Sequence, residues 1–393
     1  MLGCCSRMST FTLSRRTALL GIAALSQTSM LHAQEPSTLS VAALSPWLTN
    51  GVTVDQTGAL FLSHPRFKGH EESPSLTRVG RDGRPTPFPG RGWNSWRPGD
   101  DGAKAFVFVN AVHIFADGTL WVVDQGAPEG GKPGPGAQKL VQLDPVTGEI
   151  RRILPFDSAI LPAGAQMNDL RVHGDRLYVT DSGLGGLILH DLASGQSRRR
   201  LSEHPLLRKA EAAVQKGTNG RALRDAKGKR PSVNSDVIEL SAVGDWLYWA
   251  PPTGPIRRIP TAVLWDDALD DAALAKRIEY VADTPSIGGT AIDTLANLYL
   301  SDAEHRRITV LTPDGARATL IADERLVSPD ALFIDVRRRL LIPAPQLERM
   351  AGQNGGREKT RPPYAVYALQ LPETLAGHRL GDAVTGRLTI AVP

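Results

Sequence analysis

A two-residue landmark recurs along the chain and limits its architecture more than any other feature. Leu60-Phe61, Leu120-Trp121, Leu177-Tyr178, Leu247-Tyr248, Leu298-Tyr299 and Leu340-Leu341 each open a short apolar strand. A shorter, polar-flanked strand precedes each one. Six copies over residues 34–393 give about 60 residues per copy, enough for four strands and their loops. The second copy is the clearest: Ala111 to Phe115, the turn Asp117-Gly118, Leu120 to Asp124, Lys139 to Asp144, the turn Pro145 to Gly148, and Ile150 to Leu154. Period-two alternation broken by Gly, Pro and Asp-Gly turns is the pattern of antiparallel β-structure. One four-stranded unit cannot bury both of its faces, so the units must stack and close into a ring. The fold class predicted is therefore all-β, a six-bladed β-propeller, with Ser37 to Leu44 supplying an outer strand to the last blade.

Upstream of the repeats, Arg15-Arg16, the apolar run from Leu19 to Leu25 and Leu31-His32-Ala33 have the form of an export signal of twin-arginine type over residues 1–33. This predicts a periplasmic or secreted protein, with Met8 as an alternative start, and a single propeller domain over residues 34–393. No stretch is long and apolar enough to anchor the chain in a membrane. The net charge of +4 falls to +1 without Arg7, Arg15 and Arg16, so the basic balance gives no argument for nucleic acid as a partner. The two cysteines, Cys4 and Cys5, precede the repeats, which excludes a disulfide framework, a thiolate metal cluster and a cysteine nucleophile within them.

Two segments interrupt the repeat. Gly126 to Gln138 is rich in Gly and Pro, but Lys132 is followed by Pro where a phosphate loop needs Ser or Thr. Arg208 to Arg230 carries eight Lys or Arg against Glu211 and Asp225. Its readings are a solvated insertion or a site for an anionic partner.

Chemistry shared between blades is assembled where the innermost strands begin, around the central channel. Ten residues before the landmark leucines, with one residue of slack, stand Asn50, Asn110, Asn168, Asp236, Gly288 and Asp330. Amide and carboxylate oxygens are hard ligands, suited to calcium or magnesium, with Asn168, Asp236 and Asp330 as the candidate metal ligands. Asp236 and Asp330 bring the negative charge and are the candidate catalytic residues. The same residue types also cap strand ends without binding anything. His113 and His173 complete the candidate ligand channel. Asp124, Asp181 and Asp302 each end a second strand and are read as turn-bonding residues. Trp93, Trp96, Trp246 and Trp249 are read as packing between blades rather than as walls of a site. No His-Glu-x-x-His and no Gly-x-Ser-x-Gly motif occurs.

Leu120 to Gly126, Lys139 to Asp144, Asn168 to Val172, Leu177 to Gly183, Gly186 to Leu192, Leu247 to Pro251 and Arg258 to Leu264 together resemble, in order over residues 105–345, the major royal jelly/yellow protein family. The resemblance implies a secreted six-bladed propeller that binds small aromatic amines or takes part in dopachrome conversion. More distantly the chain is similar to gluconolactonase and paraoxonase propellers, which hold calcium at the channel. By that likeness Asn168 and Asp236 match ligand positions, Asn50 stands where those enzymes have Glu, Gly288 stands where they have a later Asp, and Asp330 is the residue that could compensate. Three readings follow: binding or tautomerase-type conversion of a small aromatic or polar molecule, a divalent-metal lactonase, and a scaffold without chemistry. Whether the chain is an enzyme stays open at this point, as does any protein partner.

Overall fold

The computed structural model describes residues 38–90 and 92–385. The export signal predicted for residues 1–33 lies outside them. Six four-stranded antiparallel sheets account for nearly all the regular structure. Blade I is Gly51–Val54, Leu60–Ser63, Leu76–Val79 and Pro85–Pro87. Blade II is Val109–Ile114, Leu120–Asp124, Lys139–Leu143 and Ile150–Pro155. Blade III is Met167–His173, Arg176–Asp181, Leu187–Asp191 and Ser197–Arg200. Blade IV is Val237–Leu240, Trp246–Ala250, Ile256–Pro260 and Glu279–Ala282. Blade V is Ile287–Ile292, Leu298–Asp302, Arg307–Leu311 and Arg317–Ala322. Each innermost strand packs on that of the next blade, and blade VI returns to blade I, so the chain is a six-bladed propeller.

Blade VI closes the ring. Phe333–Ile334, Arg339–Ala344 and Tyr364–Gln370 are joined at their outer edge by Ser40–Ser45 from the start of the fold. Ser40 pairs with Ala368 and Ser45 with Tyr364. The strand anticipated over Ser37 to Leu44 is this clasp, which covers an edge that would otherwise be open.

The landmark pairs have a packing reason. Successive residues of a strand face opposite ways, and a blade has a neighbour on each side. Leu120 and Val122 enter the core shared with blade I, whereas Trp121 and Val123 enter the core shared with blade III. Leu177 packs toward blade II and Tyr178 toward blade IV, Leu247 toward blade III and Tyr248 toward blade V. Leu298 packs toward blade IV and Tyr299 toward blade VI, and Leu340 and Leu341 divide between blades V and I. The leucine thus faces the preceding blade and its partner the following one, giving six inter-blade cores.

Asp124, Asp181 and Asp302 are fully buried at the ends of their strands. Asp124 accepts from the backbone N–H groups of Val107, Phe108 and Gly126. Asp181 accepts from Gln166, Gly183 and Leu184, and Asp302 from Glu304 and His305. These are the turn bonds expected from the sequence. Lys139, also fully buried, meets Asp124 at 2.7 Å and donates to the carbonyls of Gly102, Ala105 and Ala137. Trp93, Trp246 and Trp249 pack into inter-blade cores, and Trp96 lies under the Arg66 guanidinium. None of the helices among the described residues is long and apolar enough to cross a membrane.

Candidate functional site

At the start of the innermost strands, the polar positions singled out from the sequence form a connected arc. Ser63 Oγ donates to Asn50 Oδ1 at 2.9 Å, and Asn50 Nδ2 donates to Asn110 Oδ1 at 3.4 Å. Asn110 Nδ2 then donates to Asn168 Oδ1 at 3.2 Å and to its backbone carbonyl at 3.1 Å. Asn168 Nδ2 donates to Asp236 Oδ1 at 2.5 Å and to Ser182 Oγ at 3.2 Å. Four blades therefore contribute to one chain of donors, all pointing the same way, that ends on a carboxylate.

Two carboxylates share this environment. Asp236 keeps part of its surface open to the channel, but its carboxyl sits among protein groups. Burial first, then the negative charge of Asp169, push it up to about 7, against the lowering hydrogen bond from Asn168. Asp330 is pushed well above the ordinary carboxylate range by burial, by Asp236 and by Asp169, against the lowering hydrogen bond from the Ala331 N–H. Burial raises both acids, Asp169 adds to each, and Asp236 adds to Asp330, so the site resists carrying a second negative charge.

Gly288, which gives the ring no side chain, has a reason of its own. A Cβ there would lie 2.4 Å from the carbonyl oxygen of Pro329 and 3.1 Å from Asp330 Cα. The absence of a side chain on blade V lets the Pro329-Asp330 backbone of blade VI approach closely.

Below the ring lies a second tier that sequence reasoning missed apart from His113. Arg171 makes a two-pronged pair with Glu239 at 3.0 and 2.9 Å and bonds Asp169 at 3.0 Å. His113 Nε2 is 2.9 Å from Arg171 Nη1 and 3.3 Å from Asp169, and Thr290 donates to Glu239 at 2.8 Å. Burial alone would raise Asp169, but Arg171 and then His113 outweigh it and hold its carboxyl well below the usual range. Burial likewise opposes the charge on Arg171, and Asp169 and Glu239 outweigh it in the other direction. The signal was in the register: His113, Arg171 and Glu239 each stand three residues after a ring position. His173 does not join this channel group. It is exposed at the hairpin where the innermost strand of blade III turns back, against Gly244 of the next blade, because five further residues carry the strand from the ring to its opposite end.

The basic segment is not a freely solvated insertion. It leaves blade III beyond Arg200 and reaches blade IV at Val237, yet its hairpin, Lys216–Gly217 with Arg221–Ala222, docks on blades V and VI. Lys216 N–H donates to Ser286 Oγ, Asn219 N–H to the Glu304 carbonyl, and Thr218 N–H and Oγ1 to Glu348 Oε2. It thus lies against the ring near Asp330. The cavity between them, walled by Gln215, Lys216, Gly288, Ser328, Asp330 and Glu348, has a volume of about 30 Å³.

No protein-family model matches the sequence, and no curated protein matches it. Solved structures do resemble it. A gluconolactonase from Xanthomonas campestris superposes with a TM-score of 0.51 at 16% identity, covering 86% of this chain and 90% of that one. A luciferin-regenerating enzyme gives 0.52 at 11% identity, covering 90% and 100%. A putative gluconolactonase gives 0.51 at 12% identity, covering 86% and 93%. At these identities the likeness is one of fold. It agrees with the more distant of the two resemblances read from the sequence. The major royal jelly/yellow resemblance finds no support in the comparisons.

Among the described residues no group of three or more His, Cys, Asp or Glu side chains is placed to hold a metal ion. The candidate set is two carboxylates and an amide oxygen. Its chemistry fits a hard divalent cation, because all the donors are oxygen and the two raised carboxylates form a site in which a positive charge would relieve the repulsion.

Proposed function

We propose that the channel mouth is a hydrolytic site of lactonase type that works with a bound divalent cation, calcium or magnesium, on a small polar lactone. The observation that carries the reading is the pair of raised carboxylates, Asp236 at the end of a one-way amide chain and Asp330, whose charge is opposed by burial and by Asp236. Asn168 Oδ1, Asp236 and Asp330 would hold the cation, which when bound polarises the lactone carbonyl and lowers the pKa of water. Asn50 and Asn110 present amide groups that orient substrate hydroxyls. With the cation bound and its carboxyl ionised, Asp330 would take the proton of the attacking water. The water oxygen bonds to the carbonyl carbon, the ring ester C–O bond breaks, the proton passes from Asp330 to the leaving ring oxygen, and the product is a hydroxy acid. Below this site, Arg171, Glu239 and Asp169 are buried with their charges already paired. That gluconolactonases share this fold adds support, though not at the level of residues.

The tautomerase-type reading, whose acid–base candidates are Asp236, Asp330, His113 and His173, has weaker support, since His113 is held between Arg171 and Asp169 and His173 does not join the channel. Calorimetric titration with calcium and with magnesium, of the wild type and of Asp236→Ala/Asp330→Ala, tests the proposal alongside a screen of sugar-acid lactones followed by proton release. Stoichiometric binding lost in the variant, with turnover of at least one lactone, is the expected result. A folded wild type that binds neither ion and opens no lactone would overturn it.

A further inference from the structure

Arg208 to Arg230 holds the largest concentration of charge in the sequence, and the function proposed above does not use it. Its base is fixed and its tip is clasped. At the base, Leu207 is fully buried in the core between blades III and IV, and Asn234 donates to the Gly183 carbonyl at 2.6 Å while accepting from Lys209 N–H at 3.1 Å. At the tip, Glu348 is buried beneath the hairpin and receives both the N–H and the hydroxyl of Thr218, at 2.6 and 3.0 Å. Arg221 donates to the Glu348 carbonyl at 2.7 Å, and Arg306 donates to Thr218 Oγ1 at 3.0 Å. The fit admits no side chain at the adjoining position, because a Cβ on Gly217 would stand 2.3 Å from Glu348 Oε2.

The rest of the segment is held by backbone contacts, Asn219 N–H to the Glu304 carbonyl and Arg224 paired with Asn354, while Lys216 and Glu304 are 3.8 Å apart and Arg208, Arg221, Arg224, Lys227, Lys229 and Arg230 are exposed. Glu348 is the buried carboxylate that receives the tip. What the tip covers is the mouth. Between the hairpin and Asp330 a cavity of about 30 Å³ leaves room for about two water molecules, too little for an organic substrate on that side.

We infer that residues 208–230 are a lid over the channel mouth, that Glu348 is its latch, and that substrate reaches Asp330 from that side only after the Thr218–Glu348 contact breaks. The inference rests on the mouth being the site, but the latch itself can be tested without substrate or cation. The Thr218 and Asn219 amides are bonded across to Glu348 and to the Glu304 carbonyl, so they report opening directly.

Hydrogen exchange followed by mass spectrometry compares the segment 213–226 with the buried strand Trp246–Ala250 in the wild type, in Glu348→Ala and in Gly217→Val. In the wild type the lid amides exchange faster than the strand, through an opening that leaves the blades intact. Loss of a hydrogen-bonded charged partner raises lid exchange by about tenfold or more in both variants and leaves the strand unchanged. Equal exchange of lid and strand in the wild type, or unchanged lid exchange in both variants, would overturn the inference. A wild type that binds no cation and opens no lactone defeats the functional reading alone, since the exchange experiment is read without either.

Discussion

Asn168 and Asp236 meet across the boundary between the third and fourth blades, amide nitrogen to carboxylate oxygen, at 2.5 Å. The contact joins two repeats that are 68 residues apart in the chain. It also sets the chemistry at the mouth, because the carboxylate at its end is the one whose charge the protein resists. Four expectations follow from this geometry and from the packing around it.

Stability should fall as the pH rises through neutrality, and Asp236 should be a cause. Its pKa is raised in the folded state to about 7 from an unfolded value of 3.8. Its contribution is therefore complete below about pH 3.8 and lost as the pH rises through about 7. Asp236→Asn removes the buried charge, so without added divalent ions its melting temperature should gain on that of the wild type between pH 5 and pH 8 and exceed it at pH 8. Saturating calcium at pH 8 should raise the wild type above the variant, and a chelator should reverse the order. Melting curves at the two pH values with no difference between the proteins would refute the sign.

Gly288→Ala should damage the mouth while leaving the blades in place. Its Cβ would meet the Pro329 carbonyl oxygen at 2.4 Å, and backbone has less freedom to give way than a flexible side chain. A cost of about 1–3 kcal/mol is expected from overpacking. Displacement of Asp330 should weaken calcium binding in calorimetry, whereas a variant that binds as tightly as the wild type would show that Asp330 does not depend on this approach.

Lys139→Met should cost about 3–5 kcal/mol, because it leaves the Asp124 carboxylate buried without its cation and removes a donor from three carbonyls. Denaturant unfolding monitored by tryptophan fluorescence measures this. A loss below about 1 kcal/mol would mean that the N–H groups around Asp124 suffice to hold it.

The clasping strand offers a test by alternation. Ala43 is buried between blades VI and I, whereas its neighbour Leu44 is exposed. Ala43→Asp should lower stability by about 3 kcal/mol or more through an unpaired buried charge, and Leu44→Asp should stay within about 0.5 kcal/mol. Similar losses for both would place the strand in a different register.

Much of the molecule was legible in the chain itself. The recurring pair of a leucine and a second large apolar residue specified six blades, because a strand with neighbours on both sides must carry a large apolar residue toward each, and that demand is local. The acids at the ends of second strands were readable as turn residues for the same reason. Asn50, Asn110, Asn168, Asp236 and Asp330 were readable as a ring because a repeat places equivalent residues at equivalent heights. What the repeat could not convey was which neighbours would touch, or with what charge. Arg171 finds Glu239 and Asp169, and His113 lies beside them rather than at the mouth, because closing the ring brings together residues from separate blades whose spacing in sequence carries no mark of the contact. The raised pKa values of Asp236 and Asp330 arise the same way, from burial and proximity that exist only once blades IV and VI share a channel. The basic segment is the clearest case. Its composition suggested a solvated loop, and only the folded ring supplied Glu348 to receive Thr218, since a charged segment becomes a cap through the geometry of the surface that it crosses.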